Sequence, residues 1–270
     1  MTQTEQIDRL KSLISYLMQE NFSPQTINAK SLLSSNEEQL KHIYRGMINT
    51  RLPYPISDGF LELQDEFLTE DLNSRGIVYI DDLEPVSDQL YLWQGDITRL
   101  SVDAIVNAAN SDFLGCFIPN HRCIDNEIQT KGGYQIRLDC YDLIQKQGHK
   151  EPVGKAKVTP GHNLPSKHII HTVGPIVTGN VSAIKKSMLA SCYQSILEKA
   201  LEIKLNHVAL CCISTGQFGF PANEAAQIAV YTVHEFLNTY STDMKIIFNI
   251  FKDSDYDIYS KLINTEENYD

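Results

Sequence analysis

The chain has 270 residues, 42% of them hydrophobic and 21% charged, and its formal net charge is −11. Such a chain can bury a sizeable core, which excludes wholesale disorder. Its field repels polyanions, which argues against nucleic acid or an anionic membrane surface as a partner.

The first 87 residues read as a helical extension. In "TEQIDRLKSLISYLMQEN", Ile7, Leu10, Leu13, Ile14 and Leu17 share one helical face. "NEEQLKHIYRGMIN" repeats the pattern with Leu40, Ile43, Tyr44 and Met47, and "DGFLELQDEFLTEDL" is a third helix. Ser23-Pro24 and Pro53-Tyr54-Pro55 mark the turns between them. The three segments show no interpretable cluster of acids, bases or metal ligands.

From residue 88 the pattern changes. "QLYLWQ" alternates as a strand does, and "VDAIVNAAN" is a short apolar run. "GKAKVTPG" and "KHIIHTVG" are two more strands, and "YQIRLDCYDLIQ" between them and the preceding strand is helical. "SAIKKSMLASCYQSILEKALEIK" is a helix, "HVALCCIST" a buried strand, and "PANEAAQIAVYTVHEFLNTY" a helix. "MKIIFNIF" is the last strand and "SDYDIYSKLIN" the closing helix. Strands alternating with helices imply an α/β sandwich around a largely parallel sheet. Ligands in such sheets bind at the carboxyl ends of the strands. "NAAN", "HTVGP", "STGQFGFP" and "FKDSD" fall there, so the site is expected among them.

The six cysteines, Cys116, Cys123, Cys140, Cys192, Cys211 and Cys212, do not suit a disulfide framework. No leader pattern opens the chain, and it has no run of about 18 apolar residues. A reducing, cytoplasmic home is expected, with the cysteines as thiols or metal ligands.

Three stretches carry chemistry. Ser214-Thr215-Gly216-Gln217-Phe218-Gly219 leads from a buried strand through Phe220-Pro221 into a helix. Free N–H groups in such a loop form an anion nest suited to a diphosphate; an ordinary strand-to-helix turn is the alternative. Asp96 follows a strand and suits an exocyclic amine such as that of adenine, or else caps the next turn. Asn107 and Asn110 suit a sugar, or simply form a turn. Finally, Cys116, His121 and Cys123 make a C-x4-H-x-C pattern. Two thiolates and an imidazole are natural zinc ligands; buried thiols are the alternative. His162, His168 and His171 flank two strands and are read as structural, Cys192, Cys211 and Cys212 as small core residues, and Asp253, Asp255 and Asp257 as initiating the last helix.

"GDIT", "VDAIVNAANSDFLG", "HIIHTVGP" and "ISTGQFGFP", in that order between Tyr91 and Lys261, resemble the macrodomain family. The resemblance implies a three-layer α/β/α sandwich with a mixed central sheet over residues 88–270, and ADP-ribose as ligand. It implies that Asp96 reads the adenine amine and Ile97 gives a backbone contact. Ser214, Thr215, Gly216, Gln217 and Phe218 would wrap the diphosphate. Phe220 and Asn110 would sit at the distal ribose, and Phe251 beside adenine. Hydrolytic members usually follow this asparagine segment with a glycine run and an aspartate. Here "CFIPNHRCID" replaces the run and sets Asp125 at the position of the family's catalytic aspartate. That is similar to the zinc-containing subgroup of microbial protein-ADP-ribosyl hydrolases. It implies one zinc ion on Cys116, His121 and Cys123 with an open position, and Asp125 and Asn110 as catalytic residues. The implied reaction removes mono-ADP-ribose from a protein carboxylate. An ADP-ribose reader and an O-acetyl-ADP-ribose deacetylase remain the alternatives. The resemblance also implies a lipoyl-carrier protein, modified by a sirtuin-like transferase, as partner.

Overall fold

The computed structural model describes residues 3–20 and 35–266; the turn expected at Ser23-Pro24 lies outside them. Three helices come first: α1 (Gln3–Gln19), α2 (Glu37–Thr50) and α3 (Asp58–Arg75). Sequence chemistry starts two of them. The Asn36 side chain accepts from Gln39 N–H at 2.9 Å while Gln39 returns a bond to Asn36 N–H, a reciprocal cap for α2. Ser57 caps α3 by accepting from Phe60 N–H. Leu10, Leu13 and Ile14 of α1 bury against Leu40, Tyr44 and Met47 of α2 and Phe60, Phe67 and Leu68 of α3. Tyr134 joins that cluster from outside the extension, so the three helices are packed onto the rest of the chain rather than suspended from it.

The remaining elements are β1 (Val78–Tyr79), β2 (Leu90–Gln94), β3 (Leu100–Ser101), β4 (Ala104–Ala109), α4 (Ile124–Gly132), α5 (Gln135–Gln147), β5 (Ala156–Pro160), β6 (His168–Val173), α6 (Ala183–Glu202), β7 (His207–Leu210), α7 (Ala222–Tyr240), β8 (Lys245–Ile250) and α8 (Asp253–Glu266). Six of the strands form one sheet in the order β2-β8-β7-β4-β6-β5. All neighbours are parallel except β5 and β6. The sheet is therefore both largely parallel and mixed, as its alternating pattern and the family resemblance separately imply. With helices on both faces it is a three-layer α/β/α sandwich.

Two features escape periodicity. β1 and β3, two residues each, pair in parallel as a separate ladder, which is too short to leave a sequence signal. β7 ends at Leu210, before the "CCIST" that extends its apolar run. Beyond it the chain bends away from the sheet, and Ser214 takes a left-handed φ of 66°. Among the described residues no helix is long and apolar enough to cross a membrane.

Candidate functional site

A cavity of about 590 Å³ opens where β4, β6, β7 and β8 end. Ala108, Ala109 and Asn110 line it from β4, Gly174 from β6, and Asn249, Phe251 and Lys252 from β8. The loop after β7 supplies Ser214 to Phe218, the loop before α4 supplies Gly115, Cys116, Phe117 and His121 to Cys123, and the first turn of α4 adds Ile124 and Asp125. A volume of this size suits a whole nucleotide-like ligand.

The loop after β7 is shaped to receive one. Ser214 makes a left-handed turn, and Thr215, Gly216, Gln217 and Phe218 after it line the cavity. The Ser214 hydroxyl is buried with no hydrogen-bond partner within the described residues. A hydroxyl so placed can bond to a ligand or a water that enters the cavity. Phe251 is 78% exposed, an aromatic face standing at the mouth.

At the other end, the ligand atoms of Cys116, His121 and Cys123 all lie within 4.8 Å of one another. Cys116 Sγ is 3.6 Å from His121 Nδ1. Zinc bonds of about 2.0–2.3 Å to nitrogen and sulfur require donors gathered this closely, so the residues fit the ion. Cys140 is the next thiol along the chain; it is buried beside His171 and belongs to neither the cavity nor the triad. Burial, with Asp125 and Cys116 alongside, pushes the Cys123 thiol up to about 12 in the absence of a cation. A bound cation reverses that preference, because a coordinating thiol is held deprotonated. On the far side of the His121 ring, Nε2 is 2.9 Å from the Gln217 amide, so the loop after β7 touches the triad.

Asp125 sits in the first turn of α4, two residues beyond Cys123, and is 4% exposed. Its Oδ1 accepts from Asn107 Nδ2 at 2.9 Å. Burial raises its pKa above the ordinary carboxylate value, while the Asn107 amide and the Arg137 guanidinium pull the other way. Asn110 lines the cavity, but its Nδ2 donates to Gly115 O at 2.8 Å and its Oδ1 accepts from Asp112 N–H. It thus also fastens the start of the triad loop.

Asp96, Ile97 and Phe220 are not among the residues lining the cavity. Asp96 caps the following 3-10 turn by accepting from Thr98 N–H, and its Oδ2 meets Arg75 at 3.1 Å. Ile97 and Phe220 are buried in the sheet core. Of the histidines beside β5 and β6, His162 pairs with Asp139 outside the cavity, His168 opens β6, and His171 is wholly buried. Asp255 opens α8 as expected but also lines the cavity, as do Cys211 and Cys212. Asp255 lies in the "FKDSD" segment expected at the site, whereas Cys211 and Cys212 were read as core residues and missed as wall residues. The signal available was their place just after a strand end, where the sheet presents its neighbours to a ligand.

A mostly parallel sheet with a nucleotide-sized cleft at its carboxyl ends, flanked by an anion-shaped loop and a Cys/His triad, defines an α/β/α ligand-binding sandwich. The chain belongs to the macrodomain family: the Macro domain model matches residues 106–229. It is 48% identical over 258 residues to a protein of Staphylococcus aureus strain MSSA476 named protein-ADP-ribose hydrolase, covering 95% of this chain and 97% of that one. A protein of the same name from Treponema medium is 44% identical over 268 residues, covering 98% and 100%. Among solved structures, the Trypanosoma brucei macrodomain in complex with ADP-ribose aligns at a TM-score of 0.64 and 28% identity, over 81% of this chain and 94% of that one. The Oceanobacillus iheyensis macrodomain with ADP gives 0.61 and 33%, over 69% and 96%.

Proposed function

We propose that this protein is a zinc-dependent hydrolase that removes mono-ADP-ribose from modified protein side chains, carboxylate esters in particular. The observation that carries this reading is that Asp125 and the Cys116/His121/Cys123 triad line the same cavity as the Ser214–Phe218 loop. The names of the full-length relatives support the substrate class. Residues 1–87 serve as a helical extension to a macrodomain of residues 88–270. Six free cysteines suit a cytoplasmic setting.

The adenosine diphosphate portion provides binding energy and orientation. Ser214 to Phe218 hold the diphosphate by backbone amides, Phe251 flanks adenine, and Asp96 accepts from its amine. The family resemblance gives Ile97 a backbone contact and sets Phe220 beside the distal ribose, although neither lines the cavity, and Asn110 holds ribose hydroxyls. Zinc on Cys116, His121 and Cys123 would supply Lewis-acid polarisation of an oxygen at the distal ribose. Asp125 orients a water against the anomeric carbon and takes its proton. The water oxygen bonds to that carbon as the carbon–oxygen bond to the protein breaks. The electron pair leaves with the side-chain carboxylate, giving ADP-ribose and unmodified protein. A lipoyl-carrier protein modified by a sirtuin-like transferase is the substrate that the family resemblance suggests.

The test is release of labelled ADP-ribose from an ester-modified protein, with and without a chelator, beside O-acetyl-ADP-ribose as a second substrate. Chelator-sensitive release from the protein is expected. Tight ADP-ribose binding with no release would mean a reader, and turnover of the acetyl ester alone a deacetylase.

A further inference from the structure

No residue of α1, α2 or α3 is among those lining the cavity, yet one face of α2 is built against the triad loop. That face is His42, Arg45, Gly46 and Asn49, at the i, i+3, i+4, i+7 spacing of one helical stripe. Leu40, Tyr44, Met47 and Ile48 occupy the opposite stripe and bury into the extension's own core.

The polar stripe grips the loop at consecutive points. Arg45 Nη2 donates to the backbone carbonyl of His121 at 3.0 Å, and the same guanidinium makes a paired contact with Glu127 at 2.9 and 2.8 Å. Asn49 Oδ1 accepts from Asn120 N–H at 3.2 Å, while its Nδ2 donates to Thr130 at 3.0 Å. His42 Nε2 is 3.2 Å from the Asn120 amide. Gly46 lets that amide come close: a Cβ there would lie 2.8 Å from Asn120 Nδ2. Asn120 itself holds a left-handed φ of 58°, which asparagine adopts more readily than most residues. Behind it, Arg137 lies over the Phe117 ring and donates to the carbonyls of Ile48 and Arg51 at the end of α2. Across residues 114–123 the structure has neither helix nor strand. The bonds from α2, with those from Asn126 and Asn110, therefore do the holding.

We infer that α2 positions the metal ligands, with Arg45 and the Gly46–Asn49 face fixing the carbonyl of His121 and the amide of Asn120 so that the three donor atoms are gathered before an ion arrives. This rests on the metal reading of the triad. Arg45 is a positioning residue: it reaches the backbone of a ligand and not the reacting atoms. Orienting groups around metal ligands alter metal affinity by about 10–100-fold.

The experiment uses the full chain, stripped of metal and titrated with zinc against a chromophoric chelator. The thiolate-to-metal absorption with cobalt(II) is read in parallel. Arg45→Met should weaken zinc binding about tenfold or more and alter the cobalt spectrum. Arg45→Lys should restore part of the affinity, since an ammonium still reaches the carbonyl or the carboxylate. Gly46→Ala is the control for folding. It favours the helix, yet it presses on Asn120, so weaker zinc binding by this variant cannot come from a melted extension. ADP-ribose affinity should fall by less than zinc affinity in all three, because His121 reaches the Ser214–Phe218 loop only through the Gln217 amide. Wild-type zinc affinity and an unchanged cobalt spectrum in both Arg45→Met and Gly46→Ala would overturn the inference while leaving the triad a metal site. A wild-type chain that takes up neither ion would overturn the metal reading, and this inference with it.

Discussion

Asn107 donates its side-chain amide to Asp125 at 2.9 Å, and the same nitrogen lies 3.1 Å from His171 Nδ1 on the neighbouring strand. The strand register makes this possible, because Asn107 and His171 are direct partners in the β4–β6 ladder. Burial lowers the His171 pKa to about 3, so the ring is neutral at physiological pH. Its Nδ1 accepts from Asn107 and its Nε2–H donates to Thr159 at 2.8 Å. The result is a buried line of polar groups that aims one carboxylate. Asn107→Ala should lower turnover about 10–100-fold while ADP-ribose affinity, read by calorimetry, falls only a few-fold. Equal losses in both would mean that Asn107 supports the whole cleft and not Asp125.

Cys116→Ala and Cys123→Ala each leave two donors, too few to hold zinc in competition with water. Metal content by elemental analysis and hydrolysis of ester-linked ADP-ribose should fall together. Asp125→Ala should keep its zinc and lose on the order of a hundredfold in turnover. Metal-free protein that hydrolyses at the wild-type rate would remove zinc from the reaction.

The long helices and apolar strands were legible because their burial is periodic. Leu10, Leu13 and Ile14 lie inside, as their 3.6-residue spacing requires. The Cys116/His121/Cys123 group was legible for a different reason: its members lie within one loop, so chain proximity alone brings the donors near each other. The polar stripe of α2 was not, because its partners Asn120 and His121 are more than seventy residues away along the chain. No local pattern records such a contact. Asp255 falls in the "FKDSD" segment expected near the site, but only its helix-starting role was assigned, although it also lines the cavity.

Asp96 faces two demands. It caps a turn through Thr98 and pairs with Arg75, and we propose from the family resemblance that it also accepts from an adenine amine. Asp96→Ala should weaken ADP-ribose binding about tenfold, the worth of one charge-assisted hydrogen bond. The hypoxanthine analogue, which lacks the amine, should bind wild type and variant more nearly alike. A variant that weakens both ligands equally would point to the cap alone.

Gly174 closes the end of β6 against the Ser214–Phe218 loop, proposed to hold the diphosphate. A Cβ there would run into the Ser214 hydroxyl and the Ile213 side chain. Ser214 already holds a left-handed φ and cannot retreat into the sheet core. Gly174→Ala should therefore displace the loop, costing about 1–3 kcal/mol of stability by overpacking and weakening ADP-ribose more than it weakens adenosine. Unchanged affinity for both would show that the loop moves freely.

Asp71 ties the extension to helix α4 through charge. It is 5% exposed and meets Arg75 at 2.8 Å, Lys131 at 3.0 Å and Lys41 at 3.2 Å, one cation from each of α3, α4 and α2. Burial opposes its ionisation, but Lys131, Arg75 and Lys41 outweigh burial and hold the carboxyl at about 2, against 3.8 for the free group. A carboxyl held below its unfolded value stabilises the fold above that value, and the contribution is lost as pH falls through the folded one. The shift corresponds to about 2 kcal/mol at neutral pH. Asp71→Asn should therefore lower the urea unfolding free energy by at least about 2 kcal/mol near pH 6. The gap to wild type should shrink to less than about half near pH 2.5. A gap that stays constant over that range would mean that the side chain contributes by packing, with its three cations satisfied elsewhere.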